Sequence, residues 1–324
     1  MKVVIIGLGS MGRRRIRLIK KYDSSIEIIG IDNNEERREF CKKEYEMATF
    51  HQLSECIGEG LDGAFICTSP LSHHKIITEC LEQGLHVFTE LNLVSDGYER
   101  NMKLAAEKGR ILFLSSTFLY RDEIKKIMSL VQNSRGMLNY TYHIGQYLPD
   151  WHPWESYKNF FVEDKRSNGC REIFAIELPW LTEAFGSIID IKVTKNKISK
   201  LEIDYCDNYL VMLEHSSGHK GLLAVDVVSR KAVRNLEIFG EELYLSWNGS
   251  PTGLYQYDYE LKENKNIELY EAIDQLENYS SFVVENAYLN EIIAFFDTIL
   301  QGKPQSYSFE KDSSILRIID RIEA

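Results

Sequence analysis

The sequence predicts an α/β protein with two parts, an N-terminal doubly wound parallel sheet and a C-terminal α+β domain with a large, mostly antiparallel sheet. In the first third of the chain, short apolar runs alternate with stretches of helical periodicity, the pattern of parallel strands joined by crossover helices. A glycine-rich turn joins the first apolar run to the first helical stretch. After about residue 117, consecutive strand-like runs are separated by short turns, which favours antiparallel pairing.

The first domain is predicted to span residues 1–117. Its strands are predicted at 2–6, 26–31, 63–67, 85–88 and 111–115, and its helices at 11–22, 34–44, 51–57, 72–83 and 96–108. Ligands of doubly wound sheets lie beyond the carboxyl ends of the strands. The residues that follow each strand are therefore the first candidates for a binding site.

The second domain is predicted to span residues 118–324. Its helices are predicted at 120–133, 171–185, 281–300 and 309–323, and its strands at 137–146, 188–197, 207–214, 220–229, 234–240 and 243–247. Short turns between the last five strands predict an antiparallel meander. We expect the final helix to pack back on the first domain. We also expect an uncovered sheet face to join copies of the chain into a homodimer or homotetramer.

Composition excludes several classes of protein. The chain has 324 residues, 44% of them hydrophobic, which suffices for two cores without a metal or a disulfide. A net charge of −11 argues against nucleic-acid binding, whose affinity comes largely from neutralising phosphates. Six scattered cysteines without a C-x-x-C pair predict reduced thiols in a cytoplasmic protein. We expect neither a signal peptide nor a membrane span, because the first strand starts at once and no apolar run is long enough.

The turn Gly7-Leu8-Gly9-Ser10-Met11-Gly12 follows the first strand and opens a helix. Gly7 permits the tight turn, Gly9 lets a pyrophosphate approach the backbone, and Gly12 lets the helix pack closely on the strand. The helix N-terminus adds N–H groups and a partial positive charge that attract phosphates. The pattern predicts a dinucleotide site on a Rossmann fold; the alternative is a sharp strand–helix turn that binds no ligand.

An acidic residue stands where such a site needs one. Asp32 ends the next apolar run, twenty residues after Gly12. A carboxylate there can accept hydrogen bonds from the ribose hydroxyls and repels a 2′-phosphate, so NAD is favoured over NADP. Asn33 and Arg37, which follow it, are further candidates for contacts with the cofactor.

Several segments resemble the glucose–fructose oxidoreductase and inositol dehydrogenase (Gfo/Idh/MocA) family. They are Gly7-x-Gly9-x-x-Gly12, Ile66–His73, Gln83–Glu90 and Leu236–Gly240. The resemblance runs over essentially the whole chain. It implies NAD or NADP as cofactor, a sugar or cyclitol as substrate, and dimers or tetramers joined through the sheet of the second domain.

The resemblance also implies cofactor contacts from the segments Thr68–His73 and Glu90–Asn92, which follow two of the predicted strands. The predicted cofactor-binding set is Gly7, Gly9, Ser10, Met11, Gly12, Asp32, Asn33, Arg37, Thr68, Ser69, Pro70, His73, Glu90, Leu91 and Asn92.

The chain departs from the family at two motifs. Family enzymes usually carry Glu-Lys-Pro, whose lysine helps proton transfer, where this chain has Glu90-Leu91-Asn92. Family enzymes also place Asp and His four residues apart on a helix, and the aligned residues here are Ile173 and Glu177, with an alignment that could slip by one residue. A leucine cannot move a proton, so another group must serve.

Oxidation of an alcohol needs a base as well as a hydride acceptor, and three residues are predicted as catalytic candidates. Glu177 takes the position of the family histidine, and Glu172 lies five residues before it, about 140° away on a helix. His152 lies in an aromatic loop with Trp151 and Trp154, whose ring faces suit sugar rings. For each of these residues a structural role is the alternative.

Arg171, beside Glu172, could pair with a carboxylate of the helix or bind an anionic substrate group.

The leading hypothesis is an NAD-dependent oxidoreductase that acts on a sugar or sugar derivative, with surface-polysaccharide metabolism as a setting suggested by analogy alone. The first alternative is a regulatory protein that binds NAD and a sugar without turnover, supported by Leu91. The second is a lyase or glycosidase that recycles its NAD. No metal, nucleic acid or membrane partner is predicted.

Overall fold

A computed structural model of the chain describes residues 1–56, 58–152, 155–275 and 282–324. The chain forms two compact units, and neither is one continuous stretch of sequence. The first unit consists of Met1–Ser116 and Tyr288–Ser313, and the second of Thr117–Ala287 and Ser314–Ala324.

The described residues contain fourteen strands and eight α-helices. The strands are β1 (Lys2–Ile6), β2 (Glu27–Ile31), β3 (Thr49–Phe50), β4 (Gly63–Ile66), β5 (His86–Thr89), β6 (Leu112–Leu114), β7 (Asn139–Gly145), β8 (Ile188–Asn196), β9 (Asn208–His215), β10 (Lys220–Asp226), β11 (Val233–Phe239), β12 (Tyr244–Trp247), β13 (Leu254–Asp258) and β14 (Glu263–Asn266). The helices are α1 (Ser10–Tyr22), α2 (Glu35–Tyr45), α3 (His73–Glu82), α4 (Tyr98–Lys108), α5 (Asp122–Asn133), α6 (Gly169–Phe185), α7 (Glu285–Gln301) and α8 (Phe309–Glu323).

The sheet of the first unit has six parallel strands in the order β3-β2-β1-β4-β5-β6. The predicted doubly wound parallel sheet is therefore confirmed. The strand order reverses direction between β1 and β4, and such a reversal opens a crevice at the carboxyl ends of the strands. The predicted helix at 51–57 is wrong in kind, since only a 3₁₀ turn at Leu53–Cys56 forms there and residue 57 lies outside the described residues.

Aromatic packing ties α7 to this sheet. Phe65, Phe88 and Phe113 come from three adjacent strands, and the ring of Phe295 packs edge-on against each of them at 5.1–5.6 Å. A parallel sheet is apolar on both faces and needs helices on both. A helix from near the end of the sequence thus completes the core of the first unit.

The sheet of the second unit has eight strands in the order β14-β13-β12-β11-β7-β10-β9-β8. Within it only β7 and β10 pair in parallel, which confirms a mostly antiparallel sheet. The predicted meander is wrong in one respect, because β7 lies between β10 and β11. Tyr142 of β7 pairs with Leu223 on one side and Leu236 on the other, a long-range insertion that turn lengths cannot reveal.

One face of this sheet is covered by α6. Phe174 packs edge-on against Tyr209 of β9, and Trp180 against Tyr142 of β7. The opposite face exposes large apolar side chains from the alternate positions of β9 and β10, namely Leu210, Met212 and Leu222. The alternation expected of half-buried strands therefore leaves an apolar patch on the open face.

All six cysteines are free thiols. Within the described ranges, no helix combines the length and apolar character needed to cross a bilayer.

Candidate functional site

The glycine turn after β1 has the close contacts that the motif predicts. Gly7 has a φ of +95°, and a Cβ on it would lie 2.6 Å from the carbonyl oxygen of Cys67. A Cβ on Gly12 would lie 1.9 Å from the carbonyl oxygen of Gly7. Any larger residue at either position would displace backbone, so these two glycines shape the turn.

Gly9 differs from these two glycines, because the space beside its backbone is open. A Cβ there would meet nothing closer than the guanidinium of Arg37, at 3.7 Å. Gly9 is also the N-cap of α1, where it has no side chain to occupy the first N–H groups, and the first turn of the helix carries no acidic residue. An open backbone and an electropositive helix end are what a phosphate group requires.

Asp32 lies at the end of β2 with a fixed orientation. It is 6% exposed, its Oδ2 accepts the N–H of Leu8 at 2.7 Å, and its Oδ1 accepts the N–H of Asn34 at 2.8 Å. The exposed Arg37 reaches within 3.7 Å of Oδ2. Asn33 is exposed beside them. A carboxylate and a guanidinium therefore stand at the same strand end, where the ribose of a dinucleotide binds in this fold.

His73 connects the segments that follow β4 and β5. It is buried, its Nε2 lies 2.9 Å from the carbonyl oxygen of Thr68, and its Nδ1 lies 2.7 Å from Oδ1 of Asn92. Burial lowers the pKa of His73 and so favours the neutral ring. Ser69 precedes the 3₁₀ turn that begins at Pro70. His73 therefore connects the segment that contains Thr68 to the segment that contains Asn92, at the carboxyl edge of the sheet.

Glu90 is occupied by an ion pair. Arg15 of α1 donates Nε to Glu90 Oε1 at 2.6 Å and Nη2 to Glu90 Oε2 at 3.1 Å. Sequence reasoning missed this contact, since no local pattern signals a partner 75 residues away. The next side chain, Leu91, is partly exposed and carries no group that can move a proton.

Glu177 is fully buried among polar partners of the second unit. Its Oε2 accepts the hydroxyl of Tyr142 at 2.9 Å and the indole N–H of Trp180 at 2.7 Å. Its Oε1 lies 2.8 Å from Nη2 of Arg234. A carboxylate compensated in this way and closed to solvent is built like a structural ion pair rather than a base that meets a substrate.

Glu172 is different from Glu177 in each of these respects. Its side chain is partly exposed, and its buried Oε2 has no hydrogen-bond partner among the described residues. Burial raises its pKa to about 7. A carboxyl group that titrates near neutral pH has the property required of a general acid or base.

The exposure of α6 bears on the two-residue motif that the resemblance implies. Glu172 and Ile176, four residues apart, are the partly exposed residues of its first two turns, while Ile173 and Glu177 are buried. The accessible pair thus lies one residue before the pair predicted from the alignment. An alignment moved by one residue would place a carboxylate at the first position of the motif and isoleucine at the second.

His152 lies in the loop that follows β7. Its Nδ1 is 3.0 Å from Oε1 of Glu155, its ring packs on Phe160 with centroids 4.5 Å apart, and its side chain is 33% exposed. Trp151 donates its indole N–H to the carbonyl of Gln146 at 3.2 Å. Trp154, predicted to belong to this loop, lies outside the described residues. The loop therefore presents a partly exposed imidazole that packs against one aromatic ring.

Two further residues, Arg171 and His143, make contacts that the sequence did not predict. Arg171 pairs with Asp320 at 2.7 Å and with Glu323, both on α8, so its charge is committed within the second unit. His143 donates Nε2–H to Oδ2 of Asp226 at 2.8 Å, on the strand that pairs in parallel with its own. Sequence reasoning missed Asp226, because strand pairing rather than spacing creates that contact.

The described residues contain no group of three or more His, Cys, Asp or Glu side chains placed to hold a metal ion.

Comparison with known proteins agrees with this geometry. Residues 1–116 match the GFO_IDH_MocA family, described as an oxidoreductase family with an NAD-binding Rossmann fold. Mouse biliverdin reductase A is 30% identical over 149 residues, 43% of this chain, and the match spans about half (48%) of that protein. Myo-inositol 2-dehydrogenase from Thermotoga maritima is 23% identical over 335 aligned positions, 96% of this chain and 91% of that protein.

Solved structures share the whole fold at low sequence identity. GenD2 from gentamicin A biosynthesis, in complex with NAD, has a TM-score of 0.78 at 15% identity and covers 100% of this chain and 94% of its own. Biliverdin reductase from Synechocystis, in complex with biliverdin and NADP⁺, has a TM-score of 0.73 at 17% identity and covers 99% and 97%. At these identities the likeness shows the fold alone, and the two structures hold different nucleotides. Residues 1–116 are therefore similar to the NAD-binding Rossmann domain of an oxidoreductase family, and the whole chain shares its fold with solved structures that hold NAD or NADP⁺.

Proposed function

We propose that the protein is an NAD-dependent oxidoreductase that removes a hydride from a carbinol carbon of a sugar or sugar derivative or, in the reverse direction, adds one to the corresponding carbonyl carbon. The observation that carries the proposal is the glycine turn, where an open Gly9 and an uncapped helix end lie beside the fixed carboxylate of Asp32. The backbone N–H groups and the carboxylate at this turn fit a dinucleotide. When bound, NAD would supply the hydride acceptor of the reaction.

The turn and Asp32 give the cofactor a direction along the sheet. The pyrophosphate would lie at the N-terminus of α1 and the adenosine ribose at Asp32, on the β2 side. The nicotinamide half would then lie on the β4 and β5 side, near Thr68–Pro70 and Glu90–Asn92. Asp32 disfavours a 2′-phosphate, whereas the nearby Arg37 would attract one. The proposed preference for NAD over NADP must therefore be tested by measuring the affinity for each nucleotide.

We propose that Glu172 is the general acid and base that exchanges a proton with the substrate hydroxyl. When the substrate carbon gives up its hydride, the hydroxyl proton must leave, and the ionised Glu172 carboxylate accepts it; in reduction the protonated carboxyl returns it. Its partly exposed side chain, unpartnered Oε2 and pKa of about 7 support this role. His152 is the second candidate, and Glu177 is the weakest of the three because its oxygens are already bonded.

A sugar-type substrate is supported by the aromatic loop around His152 and by the name of the relative that spans nearly the whole chain, an inositol dehydrogenase. Surface-polysaccharide metabolism and a cytoplasmic location stay predictions.

The test has two stages. Calorimetry of the purified protein with NAD and with NADP should show binding, tighter for NAD. Absorbance at the NADH band should then change with at least one member of a panel of sugars, cyclitols, sugar acids and nucleotide sugars, with biliverdin added because of the mouse relative. Binding without turnover across the panel would contradict the oxidoreductase role, and absence of dinucleotide binding would contradict the proposal as a whole.

A second candidate function is a regulatory protein that binds NAD and a sugar together without chemistry. Leu91, an apolar side chain where family enzymes use a lysine, favours it. Sugar-dependent tightening of NAD binding without any turnover would support this candidate.

We propose further that the open face of the second unit's sheet joins copies of the chain into a homodimer or homotetramer. The exposed Leu210, Met212 and Leu222 form an apolar patch of the kind that marks protein interfaces.

A further inference from the structure

Three charged side chains, two of them fully buried and the third only slightly exposed, form a cluster at the carboxyl end of the parallel sheet. Arg15 of α1 is fully buried and contacts Glu90, which follows β5, and Glu291 of α7. Its Nε lies 2.6 Å from Glu90 Oε1, and its Nη2 lies 2.7 Å from Glu291 Oε2. The guanidinium also stacks on the ring of Phe88 at 4.5 Å. We call these three charged residues the charge cluster.

The charge cluster sets two carboxylates against one guanidinium. Besides Arg15, Glu90 accepts a weak hydrogen bond from the thiol of Cys67, and Oε1 of Glu291 accepts the backbone N–H of Ser116 at 2.8 Å. These partners are all donors, which stabilise the ionised form of a carboxyl group. With both carboxylates ionised, the cluster carries a net charge of −1. Burial raises the pKa of Glu291, and the attraction of Arg15 opposes that rise.

The position of this charge matters for the cofactor. The adenosine end is assigned to Asp32 beside β2, so the nicotinamide end falls on the side of β4 and β5, where Glu90 lies. The oxidised nicotinamide ring is a cation and the reduced ring is neutral, so a buried negative charge nearby favours the oxidised form. Leu91 adds no positive charge beside Glu90, at the position where the family carries lysine.

We propose that the charge cluster makes the protein bind NAD⁺ more tightly than NADH, which makes bound NADH the stronger hydride donor. The inference rests on the proposed dinucleotide site. A tenfold difference between the two dissociation constants corresponds to a shift of about 30 mV in the two-electron potential of the bound couple. The cluster therefore favours reduction of a carbonyl over oxidation of an alcohol.

Three substitutions separate charge from packing. Glu291→Gln removes one buried negative charge with little change of shape, and Glu291→Asp keeps the charge while shortening the side chain. Glu107→Gln makes the same change of charge at an exposed position of α4, where water screens it. Arg14, the next cation of α1, is also buried and stacks on Tyr288 at 4.5 Å, and its charge is common to all the variants compared.

The measurement is the pair of dissociation constants for NAD⁺ and NADH, by calorimetry and by NADH fluorescence, with no substrate present. The wild-type protein should bind NAD⁺ more tightly. Glu291→Gln should lower the preference roughly 5- to 30-fold, from the Coulomb energy of one charge at an intermediate effective dielectric. Glu291→Asp and Glu107→Gln should change it less than about 2-fold, since the first keeps the charge and the second is screened.

The outcomes are distinct. A wild-type preference for NADH overturns the inference even if Glu291→Gln fails to fold. An unchanged preference in a folded Glu291→Gln protein, or an equal shift in Glu291→Asp, also overturns it. If the wild-type protein binds neither nucleotide, the proposed function fails instead.

Discussion

Arg234 and Glu177 form a buried ion pair on the covered face of the second unit's sheet, with 2.8 Å between Nη2 and Oε1. Glu177→Gln would leave Arg234 as an uncompensated buried charge, which costs roughly 2–4 kcal/mol of unfolding free energy. The shift of the urea midpoint measures it. Arg234→Met should cost a similar amount, and the double variant less than the sum of the two. Additive losses would contradict the ion pair.

The rate of the reaction should depend on the charge of Glu172. In the oxidation direction the carboxylate must be ionised to accept a proton, so kcat/KM should rise with pH through about 7, the pKa of this group. Glu172→Gln should lower the rate by roughly 10²- to 10⁴-fold and remove that pH dependence. Glu183→Gln, the same change at an exposed position of the same helix, is the control. A wild-type rate in Glu172→Gln would transfer the role to His152.

Glu172 should also make the free energy of unfolding depend on pH. The pKa of Glu172 rises from 4.5 to about 7 on folding, so between these values the folded state binds more protons than the unfolded state. Stability therefore falls as pH rises across that window. Because the side chain is partly exposed, we expect Glu172→Gln to stabilise the protein at pH 8 by only ~1–3 kcal/mol and hardly at all at pH 4.5. Urea unfolding at both pH values gives the comparison, and equal effects would disprove the linkage.

The glycine turn offers a pair of variants with opposite expectations. In Gly12→Ala the new methyl group would meet the carbonyl oxygen of Gly7 at 1.9 Å, so the variant should lose several kcal/mol of stability through forced backbone movement. In Gly9→Ala the nearest atom is 3.7 Å away, so the fold should survive. Its affinity for NAD should nevertheless fall by about tenfold or more, because the methyl group stands where the pyrophosphate approaches. Thermal unfolding and calorimetry measure the two properties, and full NAD affinity in Gly9→Ala would argue against this binding mode.

The oligomeric state tests the open sheet face. A charge in the centre of an apolar interface is strongly unfavourable, so Met212→Lys with Leu222→Lys should convert the dimer or tetramer into a smaller species. Light scattering after size exclusion gives the mass. Leu300→Lys, at an apolar residue of α7 that is 62% exposed, is the matched control. A monomeric wild-type protein, or an unchanged mass in the double variant, would contradict this interface.

Sequence reasoning succeeded where a structural requirement is local. The glycine turn can be recognised because the spacing of its glycines is itself a sequence signal, although the atom that excludes a Cβ at Gly7 belongs to Cys67, far along the chain. The strands of the first unit can be recognised from their apolar runs. Both sheets were predicted in kind. The position of β7 between β10 and β11 was not, because hairpin lengths describe neighbours in sequence and β7 joins its sheet from 75 or more residues away.

The candidate site, too, could be predicted from the sequence only in part. That a carboxylate of α6 serves as the base could be proposed from the sequence, but the choice between Glu172 and Glu177 depends on which side of the helix is covered. The sheet that covers it is built from strands that come later in the sequence. Arg15 shows the same limit, since only the packing of α7 reveals that it is a buried counter-ion of Glu90 and Glu291.

The return of α7 to the first unit has a consequence for the newly made chain. When the ribosome has produced Met1–Ser116, the sheet still lacks α7, so Phe65, Phe88 and Phe113 lack their edge-on packing against Phe295. The 172 residues from Ser116 to Tyr288 take roughly 9–35 s to synthesise at ordinary rates of translation. During that interval the first unit lacks part of its core, so the completion of its folding must await the synthesis of α7.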